Sequence, residues 1–147
     1  MYKLYYIKLK DSKTFDPLFY SDENSKDKTL IPHLKLIHRY PESLPRIRID
    51  RGAIRFVLSG ANLMVPGLTS PGGRLPSAEN AEGDEERYGK EDLNAGTLVV
   101  VEAEGKENAC LVGPLEVGTK EMKEKKKGLA ISQGHYLGDN MWTAPLE

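Results

Sequence analysis

The stretch from Ile47 to Gly73, IRIDRGAIRFVLSGANLMVPGLTSPGG, constrains this chain more than any other part of it. Arg46, Arg48 and Asp50 alternate with Ile47 and Ile49, the period-two pattern of a strand with one wet face. Asp50 stands where a helix N-cap would stand, its carboxylate able to accept an orphan N–H of the first turn. Ala53, Ile54, Phe56, Val57 and Leu58 predict a short helix, apolar on most sides and hence buried, with Gly60 as its left-handed stop. Leu63, Met64 and Val65 predict a second strand that breaks at Pro66-Gly67, and Pro71-Gly72-Gly73 repeats the breaking chemistry. A buried helix clamped between two strands and followed by a glycine-rich loop is a scaffold that holds a loop in place.

The whole chain has 147 residues, about one domain, and 39% hydrophobic with 29% charged residues is ordinary for a soluble globular protein. No apolar run approaches the ~20 residues of a membrane span, and Met1-Tyr2-Lys3 does not open a signal peptide. Cys110 is the only cysteine, so an internal disulfide is impossible. Its neighbours Ala109 and Leu111 predict a buried thiol, and a reducing cytoplasm is the expected location. His33, His38 and His135 lack metal-ligand spacing, so no metal and no other cofactor is expected.

The net charge of −1 conceals a segregation. Residues 30–75 carry seven basic residues (Lys35, Arg39, Arg46, Arg48, Arg51, Arg55, Arg74) against Glu42 and Asp50, a net of +5. Residues 76–95 carry seven acids against Arg87 and Lys90, a net of −5. Arginine suits phosphates and stacked bases through its planar fork. On charge alone, however, a solvated face with local ion pairs is the simpler reading.

Elsewhere the pattern predicts many short strands. Tyr2 to Lys10 reads as a strand, Asp11-Ser12-Lys13 as a turn, and Pro17-Leu18-Phe19-Tyr20 as the returning partner of a hairpin. Ser21 to Lys28 reads as a polar loop. Leu30 to Tyr40 places Ile31, Leu34 and Ile37 at helical spacing, with Pro32 tolerated in the first turn. Residues 76–95 have almost no apolar content and predict a disordered surface insertion. Leu98 to Val101 is a buried-type strand, and Glu104-Gly105-Lys106 turns it into a partner over Ala109 to Val112. Leu115 and Val117 suggest a further strand, Thr119 a capped helix using Met122, and Gly128–Ile131 and His135–Leu137 the last strands before a turn at Gly138-Asp139-Asn140. Such a chain is mostly β with short helices, a small barrel.

No catalytic constellation emerges. Leu58-Ser59-Gly60 lacks the leading glycine of a nucleophile elbow, and the acids concentrate in a segment unable to hold catalytic geometry. A non-enzyme is the expectation.

The runs DRGAIRFVLSGANLMVPGLTSPGG, AGTLVVVEAEGKENACLVG and KGLAISQGHYLGDNMW resemble a PUA domain, the RNA-binding module named for pseudouridine synthase and archaeosine transglycosylase. LIPHLKLIHRYPESLPRIRIDRGAIRFVLSGANLMVPGLTSPG further resembles the malignant T-cell-amplified sequence family, particularly its fungal members. The resemblance implies a PUA-type pseudo-barrel over residues 46–147 with an acidic insertion at 76–95. It implies that residues 1–45, a hairpin plus helix, are a truncated α/β remnant of an N-terminal pre-PUA domain. In that case Ile7, Leu34 and Ile37 are expected to face solvent or a partner.

By the same resemblance the chain is a cytoplasmic translation factor on the small ribosomal subunit, paired with a density-regulated-protein-type subunit. The family releases deacylated tRNA and supports re-initiation. The implied RNA contact, with the tRNA acceptor end, is the loop Pro66, Gly67, Leu68, Thr69, Ser70, Pro71, Gly72 and Gly73, where glycine lets amides approach phosphate and the hydroxyls add donors. Arg51, Arg55 and Arg74 are the candidate phosphate contacts. His135 and Tyr136 are a candidate base-contacting pair that reads equally as a packed strand edge, and Trp142 reads as core rather than as a stacking platform. The rival reading is a protein-interaction module in which RNA contact is incidental.

Overall fold

The structure is a computed structural model that describes residues 2–8, 10, 16–22, 30–106, 108–132, 134–139 and 142. The turn expected at Asp11-Ser12-Lys13, most of the loop expected over Ser21 to Lys28, Asn140 and Met141 lie outside the described residues.

In chain order the elements are β1 (Tyr2–Ile7), β2 (Asp16–Asp22), β3 (Ile31–Pro32), α1 (Leu34–Arg39), β4 (Arg46–Ile49), α2 (Ile54–Leu58) and β5 (Leu63–Met64). They continue as α3 (Pro66–Thr69), α4 (Asp84–Tyr88), β6 (Leu98–Ala103), β7 (Leu111–Pro114), α5 (Thr119–Lys125), β8 (Leu129–Ile131) and β9 (His135–Tyr136). The mostly β class with short helices is observed. One sheet runs β4-β6-β7-β9, a second pairs β5 with β8, and a third runs β1-β2-β3. β4 lies parallel to β6, with Ile47 opposite Val101, while β7 returns antiparallel after the turn at Gly105, whose φ is 79°.

β6 organises the packing because both of its faces are covered. Val99, Val101 and Ala103 face a core with Ile47, Ile49, Val57, Val65, Leu68 and Ile131. Val100 faces the other way, into a cluster with Tyr20, Leu34, Ile37, Ala109 and Val112. A strand buried on two sides reads as a continuous apolar run, and Leu98 to Val101 does so. The expectation that Leu34 and Ile37 meet solvent or a partner is therefore wrong: their exposures are 0% and 1%, because β6 and β7 supply the missing wall. Ile7 does remain exposed.

The predicted helix over Leu30–Tyr40 starts later than its spacing suggests. Ile31 and Pro32 pair with Tyr20 and Phe19 at the sheet edge, where proline's missing N–H is tolerated. α1 then opens at Leu34 behind His33, whose Nδ1 accepts the Lys35 N–H at 3.1 Å. Leu115 is buried but 115–117 form no strand. Thr119 opens α5 without capping it: its hydroxyl donates to Asp92 Oδ1 (2.8 Å) and accepts the Leu93 N–H (2.9 Å).

His33 and His135 are both fully buried where α1 meets β9, their ring centroids 4.3 Å apart. Trp142 packs nearly parallel to His33 at 6.2 Å and belongs to the margin of the second cluster, as expected of a core tryptophan. His135 Nδ1 sits 2.6 Å from Asp139 Oδ2, and Asp139 also accepts the N–H groups of Tyr136 (3.0 Å) and Trp142 (2.8 Å). Burial pushes the Asp139 carboxyl up, but the His135 hydrogen bond and charge with the two amide donors hold it below its ordinary value. A depressed folded-state pKa contributes stability that is complete above the unfolded carboxyl value of about 4 and drains away as pH falls below it. The urea midpoint of Asp139→Asn should accordingly fall less between pH 6 and pH 3 than that of the parent chain, while starting lower at pH 6.

Candidate nucleic-acid interface

The loop Pro66–Gly73 is positioned by Asp50 and Arg48. Asp50 directly follows β4; its Oδ1 accepts the Ala53 N–H at 2.9 Å and its Oδ2 accepts the Ser70 hydroxyl. Asp50 is therefore not the N-cap that the sequence suggests, since Ala53 holds that position without a side-chain cap; its carboxylate closes the turn before α2 and also ties down the loop. The Asp50 N–H bonds the Gly67 carbonyl at 2.9 Å, Arg48 Nε bonds the Gly72 carbonyl at 2.9 Å, and Arg48 and Arg74 exchange both backbone hydrogen bonds. The chain does not break at Pro66 but turns helical there, since proline at N1 lacks only an N–H that would be orphaned anyway.

The loop glycines serve packing more than ligand access. A Cβ on Gly73 would lie 2.3 Å from the Leu68 carbonyl oxygen, and one on Gly67 would lie 3.1 Å from the Ala53 Cβ. The amides of Leu68, Thr69, Ser70, Gly73 and Arg74 are bonded to protein carbonyls, and the Ser70 hydroxyl to Asp50. Of the loop's own amides, those of Gly67 and Gly72 alone are not engaged by these bonds. Gly73→Ala should cost about 2 kcal/mol, because backbone rather than a side-chain end must move; equilibrium unfolding in urea checks it, and a change under ~0.5 kcal/mol would show the contact to be soft.

The candidate contact residues fall into three groups. Arg51, Arg55, Pro66 and Pro71 are exposed. Leu68 and Gly73 are buried, and Gly67, Thr69, Ser70, Gly72 and Tyr136 are half-buried. His135 is 0% exposed and offers nothing to a base, because α1 covers it with His33; Tyr136 packs against the main core. Arg74 is half-buried and already engaged: Nε donates to Asp84 Oδ2 at 2.8 Å, and Nη1 to the Pro71 and Gly73 carbonyls at 2.6 Å each.

The segment 76–95 is not the disordered insertion that its composition predicts. It contains α4, with Tyr88 only 5% exposed and Arg48 5.9 Å above its ring. Arg87 pairs bidentately with the buried Glu102, Asp92 with Lys123 at 2.6 Å, and Leu93 packs on the core. One aromatic residue and three ion pairs anchor it where apolar content is scarce. The acids of 76–95 thus neutralise part of the basic surface. Among the described residues, no carboxylate lies within 4 Å of the Arg51 or Arg55 guanidinium.

α2 is correspondingly less buried than expected. Val57 is its one fully buried residue and Ile54 packs half-buried against the core, whereas Phe56 is 54% exposed and Met64 of β5 is 47% exposed. The Arg55 guanidinium stands 5.1 Å from the Phe56 ring centroid. Arg51 lies against the turn at Gly105, beside exposed Lys106. Two unpaired arginines, an exposed aromatic ring and a thioether on one short stretch can hold phosphates and stack a base. Sequence reading missed Phe56 and Met64 because a five-residue helix shows no periodicity that separates a covered side from an open one. Cys110 is buried with its thiol pushed up to about 12 by burial, so it is no nucleophile at neutral pH.

Residues 44–140 match the family model described as elF2D, PUA domain. The chain is 49% identical over 118 residues to translation machinery-associated protein 20 of Saccharomyces cerevisiae, covering 80% of this chain and 59% of that protein. It is 43% identical over 112 residues to human malignant T-cell-amplified sequence 2, covering 76% of this chain and 53% of that protein. The chain therefore spans little more than half the length of these curated relatives. A conserved PUA domain protein from Thermoplasma acidophilum superposes with a TM-score of 0.63 at 21% identity, over 89% of this chain and 74% of that one. That likeness bears on the fold alone.

Proposed function

This chain belongs to the PUA-domain family of the translation machinery-associated 20 and malignant T-cell-amplified sequence proteins, and from that premise we propose that it is an RNA-binding factor of the translation machinery. The observation that carries the RNA contact is the pair of unpaired arginines, Arg51 and Arg55, beside exposed Phe56. In the finer reading the factor docks on the small ribosomal subunit with a density-regulated-protein-type partner, meets the tRNA acceptor end, and serves recycling and re-initiation from the cytoplasm. Among the described residues no helix is long and apolar enough to cross a membrane, and no His, Cys, Asp or Glu cluster could hold a metal. With Cys110 buried and Asp50 committed to holding the loop, we read the chain as a non-enzyme.

Co-sedimentation with purified small ribosomal subunits across a salt series tests the reading. Phosphate contacts make binding fall steeply with ionic strength. Binding that is lost between 50 and 300 mM salt is the expected result. A folded chain that stays in the supernatant at low salt would contradict direct docking by this chain. A second reading has its own support: Tyr5, Tyr6 and Ile7 are exposed along β1, whose outer edge pairs with no strand among the described residues. Salt-insensitive binding abolished by changes in β1 would favour a protein interface instead.

A further inference from the structure

The cleft between the loop and α5 has a volume of about 380 Å³. Ser70, Arg74, Asn80, Asp84, Lys123 and Lys126 line it, with Glu79 at its rim. Arg74 is the cation that the loop itself brings to this cleft, and its Nε edge is filled by the carboxylate of Asp84. Lys126 ends α5 in the left-handed conformation, with φ 54°, and has no carboxylate within 4 Å among the described residues. A carboxylate held against the side edge of a guanidinium uses the same fork that binds a phosphodiester.

We infer that this cleft is a second phosphate site, which Asp84 occupies as an intramolecular stand-in for the phosphate group. The inference rests on the RNA-binding reading, but concerns a different surface from the α2 face. Three observations converge on it. Asp84 opens α4, whose C-terminal side is fastened by Arg87 on Glu102 and, just past the helix, by Asp92 on Lys123, so the stand-in is delivered by a folded arm. The cleft retains a lysine, Lys126, that the arm does not neutralise. Arg74 is 31% and Asp84 29% exposed at their side chains, so an incoming phosphate can reach the pair and compete. The arm thus makes the loop side of the molecule reject weakly held nucleic acid and accept a ligand whose other contacts have already secured it.

A charge-removal cycle measures this. Asp84→Asn keeps the shape of the arm and frees Arg74. For a short single-stranded RNA at 50 mM salt, roughly 5- to 10-fold tighter binding is expected, with log affinity against log salt steeper by about 0.7, one more phosphate contact. Arg74→Gln alone should change little, since Arg74 is already occupied, and in the Asp84→Asn background it should cancel the gain. Glu79→Gln makes the same change in net charge in the same cleft without touching Arg74, and should have at most a small effect. Inorganic phosphate distinguishes the source of the ligand: protection of Asp84→Asn against heat by millimolar phosphate, absent in the parent, shows a free-anion site as well as an RNA contact.

An unchanged affinity and slope in Asp84→Asn overturns the inference, as does a gain that survives Arg74→Gln or is matched by Glu79→Gln. Asp84→Ser repeats the test should the asparagine variant fail to fold. If the parent chain binds RNA and the variants follow it, only the inference fails. If neither parent nor variant binds RNA, the functional reading falls with it.

Discussion

Glu102→Ala should lower folding stability by about 3 kcal/mol, toward the lower end of what removing one partner of a buried ion pair costs. Glu102 lies on β6 with its side chain 4% exposed, between Arg87, which it binds bidentately, and Arg46, 4.0 Å away. Its hydrogen bond and charge hold the Arg87 guanidinium more firmly protonated than in water, against the opposing effect of burial. Truncation leaves Arg46, whose side chain is 14% exposed, as a cation without a counterion beside a cavity. Arg87 is 41% exposed and can turn to water, which is why the loss stays below the top of the range. For a chain of this size the melting temperature should fall by roughly 6–12 °C. Because Arg87 fastens α4, proteolysis within 76–95 should quicken at the same time. A variant that melts within 2 °C of the parent would show that the pair is solvated.

The second large effect concerns RNA. Reversing both unpaired cations, as Arg51→Glu with Arg55→Glu, should weaken binding of a short single-stranded RNA about 100-fold at 50 mM salt and remove about 1.4 from the salt slope. Neither side chain holds the fold: both are exposed, and among the described residues no carboxylate lies within 4 Å of either guanidinium. The melting temperature should therefore stay within about 2 °C. Arg39→Glu is the control, since Arg39 is also exposed, on α1, but pairs with Asp16 of β2. A loss of affinity no larger than in the control would take α2 out of the interface.

What the sequence discloses about this molecule follows the range of the interactions. Local pattern discloses β4, β6 and β7, because Ile47 and Ile49 alternate with arginines, while Val99, Val100 and Val101 run without a polar break. The left-handed glycines at 60, 105 and 128 mark turns for the same reason: a positive φ is a single-residue property. Contacts that join distant segments leave no such trace. The polar stretch 76–95 looks unable to fold, yet Tyr88 finds Arg48 and Arg87 finds Glu102, partners that no window around Tyr88 includes. His135 reads equally as a base contact and as a packed strand edge until His33, from a distant segment, closes over it.

The candidate site divides along the same line. Arg51 and Arg55 are legible as arginines but not as unpaired ones, since that depends on where every acid settles. Arg74 looks identical in the sequence and is taken by Asp84. Phe56 illustrates the converse, an apolar residue that composition assigns to the core and that packing leaves 54% exposed. The glycine-rich loop is legible from its Pro-Gly pairs, but the bonding of the Leu68, Thr69, Ser70 and Gly73 amides to Val65, Pro66 and Ser70 is not.

The central claim is that RNA meets this chain on the α2 face, and mapping backbone amide shifts during titration with a short single-stranded RNA tests it most directly. The account predicts salt-sensitive shifts concentrated at Arg51, Gly52, Arg55, Phe56 and Met64, with the Tyr5–Ile7 edge unmoved. Shifts confined to β1, or no shifts at low salt from a folded chain, would contradict it.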